Sequence, residues 1–174
     1  LLSLETLASR TPMDPGYIGV PEFLESGKQE VKGKMTPIQL ADSLYDFCNK
    51  ALKEVERINP KENVDLLYDK SDIQAWAYLG LYFSDKLKSA VAYQQFINTE
   101  DKAFHREAIT WLEKATEKWS KLVDVTKPVY DPVRIEHKGY RVDSNLFHWS
   151  IVQEEVEAEL NWLKALDVTQ NESK

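Results

Sequence analysis

Apolar residues recur every three or four positions along four stretches of the chain, and polar residues fill the positions between them. This period is that of an α-helix that buries one face. We therefore predict four long helices, interrupted at residues 59–60, 98–101 and 127–145. The residues of these apolar stripes that we expect to be largely buried include Trp76, Leu87, Trp111, Leu112, Trp119 and Val156.

Two of the helices carry capping signals at their N-termini. Thr36 and Gln39 have the spacing of a capping box, and Pro37 between them suits the first position of a helix. Ser71 and Gln74 repeat the capping-box spacing. We therefore predict that the first helix begins directly after Thr36 and the second near Ser71.

Proline and glycine interrupt the chain outside the striped segments. Residues 1–35 contain three prolines and four glycines, which predicts a mostly irregular N-terminal arm with one short helix at Pro21–Ser26. Residues 127–145 contain two prolines and one glycine and show no sustained period, so we predict a long connection there. Residues 36–174 then form the helical domain, and the whole chain is expected to be a single domain.

Four striped helices must bury their stripes against one another. This requirement predicts an all-α fold, either an antiparallel four-helix bundle or a helical-hairpin array, with the irregular arm at its N-terminus. Trp76, Leu79, Gly80 and Phe83 also match the first helix of a tetratricopeptide repeat, but no second copy follows at the repeat spacing. The array therefore stays as an alternative to the bundle.

Composition and charge exclude several classes of partner. The formal net charge of -7 opposes the phosphates of nucleic acids and the anionic surface of a membrane, so we expect neither partner. No stretch has the apolar length of a membrane span. Cys48 is the only cysteine, which excludes an internal disulfide and suggests a small buried hydrophobe. Because the chain begins with Leu1, we expect a removed leader or a longer parent polypeptide.

No complete catalytic or metal-binding motif occurs in the sequence. A di-metal carboxylate bundle needs a Glu three residues before a His, and none of the three histidines has one. The HExxH, GxSxG, P-loop and GxGxxG motifs are also missing, so we predict no catalytic residue, no metal and no cofactor. The acidic residues of the last helix are expected on its solvated face: Glu154, Glu155, Glu157 and Glu159.

The connection after the third helix is the richest segment in candidate binding residues. Tyr130 and Tyr140 alternate there with Arg134 and Arg141, and Trp149 follows at the start of the fourth helix. Aromatic rings stack on sugars, and arginine binds carboxylate or sulfate groups through two hydrogen bonds. These five residues form our candidate site for an acidic saccharide. The alternative is that the tyrosines hold the loop against the helices while the cations offset the carboxyl end of the third helix.

Five segments of the chain carry a family resemblance: RTPMDPGYIGVPEFLE, TPIQLADSL, DIQAWAYLGLYFSDKLKSAVAY, LEKATEKWSKLV and FHWSIVQEEVEAELNWL. In this order they resemble the C-terminal helical region of large secreted bacterial proteins of the Bacteroidetes type. Those proteins are described as glycoside hydrolases or carbohydrate-binding proteins of polysaccharide degraders. The resemblance spans nearly the whole chain but includes no active-site motif.

The resemblance implies a noncatalytic C-terminal accessory domain of a glycan-degrading protein. It implies an upstream domain of the same polypeptide as one partner, an oligosaccharide or polysaccharide as another, and a periplasmic or extracellular location. Catalysis would then belong to the parent protein, as a glycoside hydrolase. Two alternatives from other classes are a repeat-like protein-interaction scaffold, which an exposed aromatic or apolar surface would favour, and a free-standing enzyme with an unrecognised site.

Overall fold

The computed structural model describes residues 1–134 and 146–169. Within these residues the chain is mostly helical and has two short strands, in agreement with the predicted all-α class. The elements, in chain order, are α1 Leu4–Ser9, α2 Val20–Glu25, α3 Pro37–Val55, α4 Val64–Thr99, α5 Lys102–Thr126, β1 Val133–Arg134, β2 Leu146–Phe147 and α6 Trp149–Thr169. No helix in this part of the chain has both the length and the apolar character needed to cross a bilayer.

Helix α3 begins as its capping signal predicts. The Thr36 hydroxyl accepts the Gln39 backbone N–H, and the Gln39 side chain accepts the Thr36 backbone N–H, which completes the capping box. The predicted start of α4 near Ser71 is wrong, because α4 begins at Val64 after the N-cap Asn63. Ser71 instead lies buried within the helix, where its hydroxyl donates to the Val125 carbonyl of α5 at 2.8 Å.

The long helices pack in sequence order, α3 on α4, α4 on α5 and α5 on α6. Gly80 lets α4 pack tightly on Cys48 of α3, because a Cβ at this position would overlap the Cys48 sulfur. Cys48 is therefore half-buried in the α3–α4 contact, and burial raises the pKa of its thiol. Trp119 of α5 lies edge-on to Tyr82 of α4, with the ring centroids 5.0 Å apart.

The N-terminal arm contains more helix than predicted. The short helix expected at Pro21–Ser26 is present as α2, but α1 was not foreseen. Leu4 and Ala8 of α1 are fully buried against α4, and the arm contributes Ile18, Val20 and Phe23 to the same core. The arm therefore covers the second half of α4, which is consequently buried on several sides.

Most of the predicted core residues are buried, with two exceptions. Leu87, Leu112, Trp119 and Val156 are buried as predicted. Trp111 is only half-buried, between the Lys88 and Lys114 ammonium groups, which lie 5.0 Å and 4.0 Å from its ring centroid.

The prediction that Trp76 is buried is wrong, because its side chain is 70% exposed. Trp76 shares a face of α4 with Asp65, Asp69 and Asp72, which follow one another at helical spacing in the first half of the helix. Tyr68 and Ile73 near this face are also exposed. This face of the first half of α4 therefore presents an aromatic and acidic surface to solvent.

Candidate functional site

The segment that follows α5 is held against α4 by Tyr130. The backbone N–H of Tyr130 donates to the Thr126 carbonyl at 2.9 Å, which turns the chain at the end of α5. The Tyr130 hydroxyl then donates to Asp72 Oδ1 at 2.6 Å, and its ring lies 5.5 Å from the ring of Tyr68. Burial of the hydroxyl and the bonded Asp72 carboxylate raise the pKa of Tyr130 to about 12. Tyr130 is therefore a neutral donor at physiological pH.

The strand pair brings the start of α6 to the same place. β1 and β2 are antiparallel, with Val133 opposite Phe147 and Arg134 opposite Leu146. The Phe147 ring packs edge-on against Trp149, at a centroid distance of 5.1 Å. Both strands were missed in the sequence, because two-residue strands leave no measurable period.

Trp149 is anchored to the core rather than held free in solvent. Its ring lies edge-on to Trp119 at 5.7 Å, and the Trp119 indole N–H donates to the Trp149 carbonyl at 3.1 Å. Trp149 is half-buried as a result. It can contribute a ring edge to a ligand site, but most of its surface is used in packing.

His148 caps the N-terminus of α6 through one nitrogen of its ring, and its other ring nitrogen is buried. Its side chain is 4% exposed, and its Nδ1 accepts the backbone N–H of Ser150 at 3.1 Å. The Ser150 hydroxyl lies 2.7 Å from the same nitrogen and can also donate to it. Since Nδ1 is an acceptor, the proton of the neutral ring lies on Nε2. This buried Nε2–H has no hydrogen-bond partner among the described residues.

A cleft of about 240 Å³ lies between these elements. Its lining combines acceptors, one histidine and aromatic edges: Asp72, Tyr130, Asp131, Val133, Phe147, His148 and Trp149. An unsatisfied buried donor costs about 1–3 kcal/mol, so a ligand acceptor that reached His148 Nε2 would recover part of that free energy. The carboxylate of Asp72 has a second oxygen that can accept a ligand hydroxyl.

The structure brings together two of the five predicted site residues. Tyr130 and Trp149 line the cleft. Arg134 lies exposed on β1 and is not part of the cleft lining. Tyr140 and Arg141 lie outside the described residues, so their part in the site stays a prediction. Sequence reasoning missed Asp72, which is distant along the chain and has no local signal.

A second polar cluster lies where the arm crosses α4 and α6. Lys86 is 1% exposed, and its Nζ lies 2.6 Å from Glu159 Oε2. The same ammonium donates to the Leu2 carbonyl at 2.8 Å and to the Tyr82 hydroxyl at 3.0 Å. Burial lowers the pKa of Lys86, although Glu159 acts in the opposite direction. Burial, together with the charge of Glu159, raises the pKa of Tyr82.

The prediction of a solvated Glu159 is wrong. Its carboxyl side chain is 13% exposed, because α6 turns this residue toward α4 and the arm. Oε1 accepts the backbone N–H of Leu4 at 2.6 Å, while Oε2 faces Lys86. Every donor of the Lys86 ammonium therefore has an acceptor inside the fold. The cluster has a structural role, because it links the arm to α4 and α6.

Two further sources of information on function are metal-binding clusters and similarity to other proteins. Among the described residues, no group of three His, Cys, Asp or Glu side chains converges as a metal site would require. Comparisons with family models, with curated proteins and with solved structures found no match to this chain.

Proposed function

We propose that this chain is a noncatalytic helical accessory domain of a glycan-degrading protein, and that its cleft recognises one neutral sugar unit. The observation that carries the proposal is the buried Nε2–H of His148, which has no partner within residues 1–134 and 146–169 and belongs to a residue that lines a cleft of about 240 Å³. Sugar hydroxyls both accept and donate hydrogen bonds. One hydroxyl can accept from His148 once a shift of the cleft lining uncovers the buried Nε2, while its neighbour donates to Asp72. The aromatic edges pack against the C–H groups of the ring.

The charge of the cleft favours a neutral saccharide over an acidic one. Asp72 and Asp131 line the cleft, and no Lys or Arg is among the described lining residues. A uronic or sulfated sugar would place its anion beside these carboxylates, and such like-charge contacts oppose binding. The acidic saccharide first suggested by Arg134 and Arg141 is therefore not the ligand that we propose for this cleft.

The expected affinity is weak, because the cleft accommodates a single sugar ring. A hexose has about twelve non-hydrogen atoms, and at about -0.3 kcal/mol per atom the binding free energy is about -3.6 kcal/mol. This corresponds to a Kd of a few millimolar, roughly 2 mM. Recognition would therefore assist the upstream domain of the same polypeptide, which we propose as the catalytic part of a glycoside hydrolase in the periplasm or outside the cell.

The test is a titration of the domain with neutral oligosaccharides of glucose, mannose and xylose, and with uronic oligosaccharides as the acidic comparison. The decisive variant is His148→Asn, since an Asn side chain can still cap α6 but lacks the Nε2 donor. We expect the native domain to bind a neutral oligosaccharide and the variant to bind about three- to tenfold more weakly, the range of one hydrogen bond. An Arg134→Gln variant serves as control and should bind as the native domain does.

Two results would contradict the proposal. One is that no neutral oligosaccharide binds at tens of millimolar concentration. The other is that the His148→Asn variant, with an unchanged circular dichroism spectrum, binds as tightly as the native domain. The second result would show that the contact residues lie elsewhere.

A second candidate function is protein interaction through the first half of α4. The 70% exposure of Trp76 beside exposed Tyr68 and Ile73 favours it, since tryptophan is enriched among the residues that dominate protein interfaces. The sequential packing of α3 to α6 would then correspond to the helical-hairpin array rather than a closed four-helix bundle. Binding of the separately expressed upstream domain, weakened by Trp76→Ala and unaffected by His148→Asn, would favour this function over saccharide recognition.

A further inference from the structure

An apolar pocket lies between the arm and the beginning of α3. Its volume is about 520 Å³, which falls in the range of small-molecule sites. The walls come from α1, the segment after it, the residues around α2 and the start of α3, with α4 as the floor. The main apolar lining residues are Leu7, Pro12, Ile18, Met35, Leu40 and Leu87.

The backbone of the arm holds the walls of this pocket in place. The Ile18 N–H donates to the Met35 carbonyl at 3.1 Å, and the Met35 N–H donates to the Gly16 carbonyl at 2.8 Å. At Gly19, a Cβ would lie 2.9 Å from the Arg10 carbonyl oxygen and 3.2 Å from Pro12 Cδ. Glycine is therefore needed for the two parts of the arm to touch. These contacts indicate a pocket that exists before a ligand arrives.

One charged side chain lies at the pocket. Arg10 is the only charged residue among the lining residues, and it follows α1 as its C-cap. The Arg10 side chain is exposed, and no described residue forms an ion pair with it. The Thr36 hydroxyl, also at the pocket, is already committed to the capping box of α3. The hydroxyls of Thr11 and Tyr17 also line the pocket, so Arg10 is its one charged group rather than its one polar group. The planar donors of a guanidinium match a carboxylate.

We propose that this pocket binds a small apolar monoanion, a carboxylate attached to a hydrocarbon chain or ring. The hydrocarbon part packs among Leu7, Ile18 and Leu40, and the carboxylate meets Arg10 at the rim. An apolar cation would face like charge at Arg10. An uncharged alcohol would gain only the apolar contacts. The net charge of -7 gives no long-range attraction for an anion, so most of the affinity must come from apolar burial.

The experiment uses the fluorescent apolar anion 8-anilinonaphthalene-1-sulfonate with the full 174-residue chain. Three competitors share one chain length and differ only in their head group: octanoate, octanol and octylammonium. We expect the dye fluorescence to rise saturably as the dye binds. Octanoate should displace the dye at the lowest concentration, octanol at a higher one and octylammonium at the highest. The octanoate advantage over octanol should be about fivefold, near the upper limit for an exposed ion pair.

Two arginine variants distinguish the effect of the charge at the pocket from the effect of changing the net charge of the protein. Arg10→Gln should weaken binding of the anionic dye and abolish the octanoate advantage, while the dissociation constant of octanol, corrected for the new dye affinity, should stay unchanged. The fold should be retained because the side chain is exposed. Arg57→Gln makes the same change of charge on an exposed residue outside the pocket and should behave as the native chain.

Several results would overturn the inference. The dye could fail to bind saturably, octanol could displace it as well as octanoate does, or Arg10→Gln could behave as the native chain. The last result would indicate that the pocket is a packing surface for another part of the polypeptide.

Discussion

Replacing Glu159 with Ala should destabilise the protein by about 3–5 kcal/mol, the usual effect of removing one partner from a buried ion pair. Lys86 is 1% exposed, so its ammonium depends on partners inside the fold rather than on bulk water. The ammonium would keep the Leu2 carbonyl at 2.8 Å and the Tyr82 hydroxyl at 3.0 Å, but not the Glu159 oxygen at 2.6 Å. The variant also removes the acceptor of the Leu4 backbone N–H, which fastens α1 to α6.

Removing the cation instead of the carboxylate should lower the free energy of unfolding by a smaller amount. Lys86→Met removes the buried cation and fills similar volume, while Glu159 keeps the Leu4 N–H at 2.6 Å and partial access to water. We expect a loss of about 1–3 kcal/mol, the cost of leaving one polar group poorly satisfied. The double variant should lose less than the sum of the single variants by at least about 1 kcal/mol, because the residues are in direct contact.

Urea denaturation at pH 7, followed by circular dichroism at 222 nm, measures all four free energies of unfolding in this cycle. The reasoning is refuted if Glu159→Ala costs less than about 1 kcal/mol, or if the single effects simply add. Either outcome would mean that water or another side chain solvates Lys86 when Glu159 is removed.

Three further predictions concern packing and charge. Gly80→Ala should lower stability by about 1–3 kcal/mol in thermal melts, because its Cβ would overlap the Cys48 sulfur, and adding Cys48→Ala should restore most of the loss. Trp119→Ala should cost about 3–5 kcal/mol whereas Trp76→Ala should change stability by less than about 0.5 kcal/mol, and equal melting shifts would contradict the burial difference. Burial raises the pKa of Asp85 above its usual 3.8, so its stabilising contribution is present below pH 3.8 and is lost as the pH rises through the folded-state pKa. Asp85→Asn should therefore raise the melting temperature at pH 7, with the gain vanishing below about pH 3.8.

Local signals in the sequence predicted local features well. The capping box at Thr36 and Gln39 depends on residues three positions apart, and it is formed as predicted. The short helix α2 and the start of α6 at Trp149 also follow from nearby residues. Helix α4 begins earlier than predicted because Asn63 provides the N-cap, while Ser71 has the same polar character but bonds to α5 instead.

Features that depend on contacts between distant segments were not predictable. The stripe that contains Trp76 shows which residues share a helix face, but it cannot show that Trp76 itself lies on a face of α4 that stays exposed. Glu159 resembles its solvated acidic neighbours in the sequence and differs only because Lys86 faces it across the fold. In the candidate site, Tyr130 and Trp149 were predicted from residue type. Asp72 was not, since only the turn after α5 brings Tyr130 to it.

The ring nitrogens of His148 offer the sharpest test of the proposed saccharide site. In the chain labelled with ¹⁵N-histidine, NMR should show the His148 proton on Nε2, and the Nε2–H resonance should move saturably as a neutral oligosaccharide is added. The same titration with a uronic oligosaccharide should move it much less, because Asp72 and Asp131 line the cleft. A proton on Nδ1, or an Nε2–H resonance that no neutral saccharide shifts, would contradict recognition at this cleft.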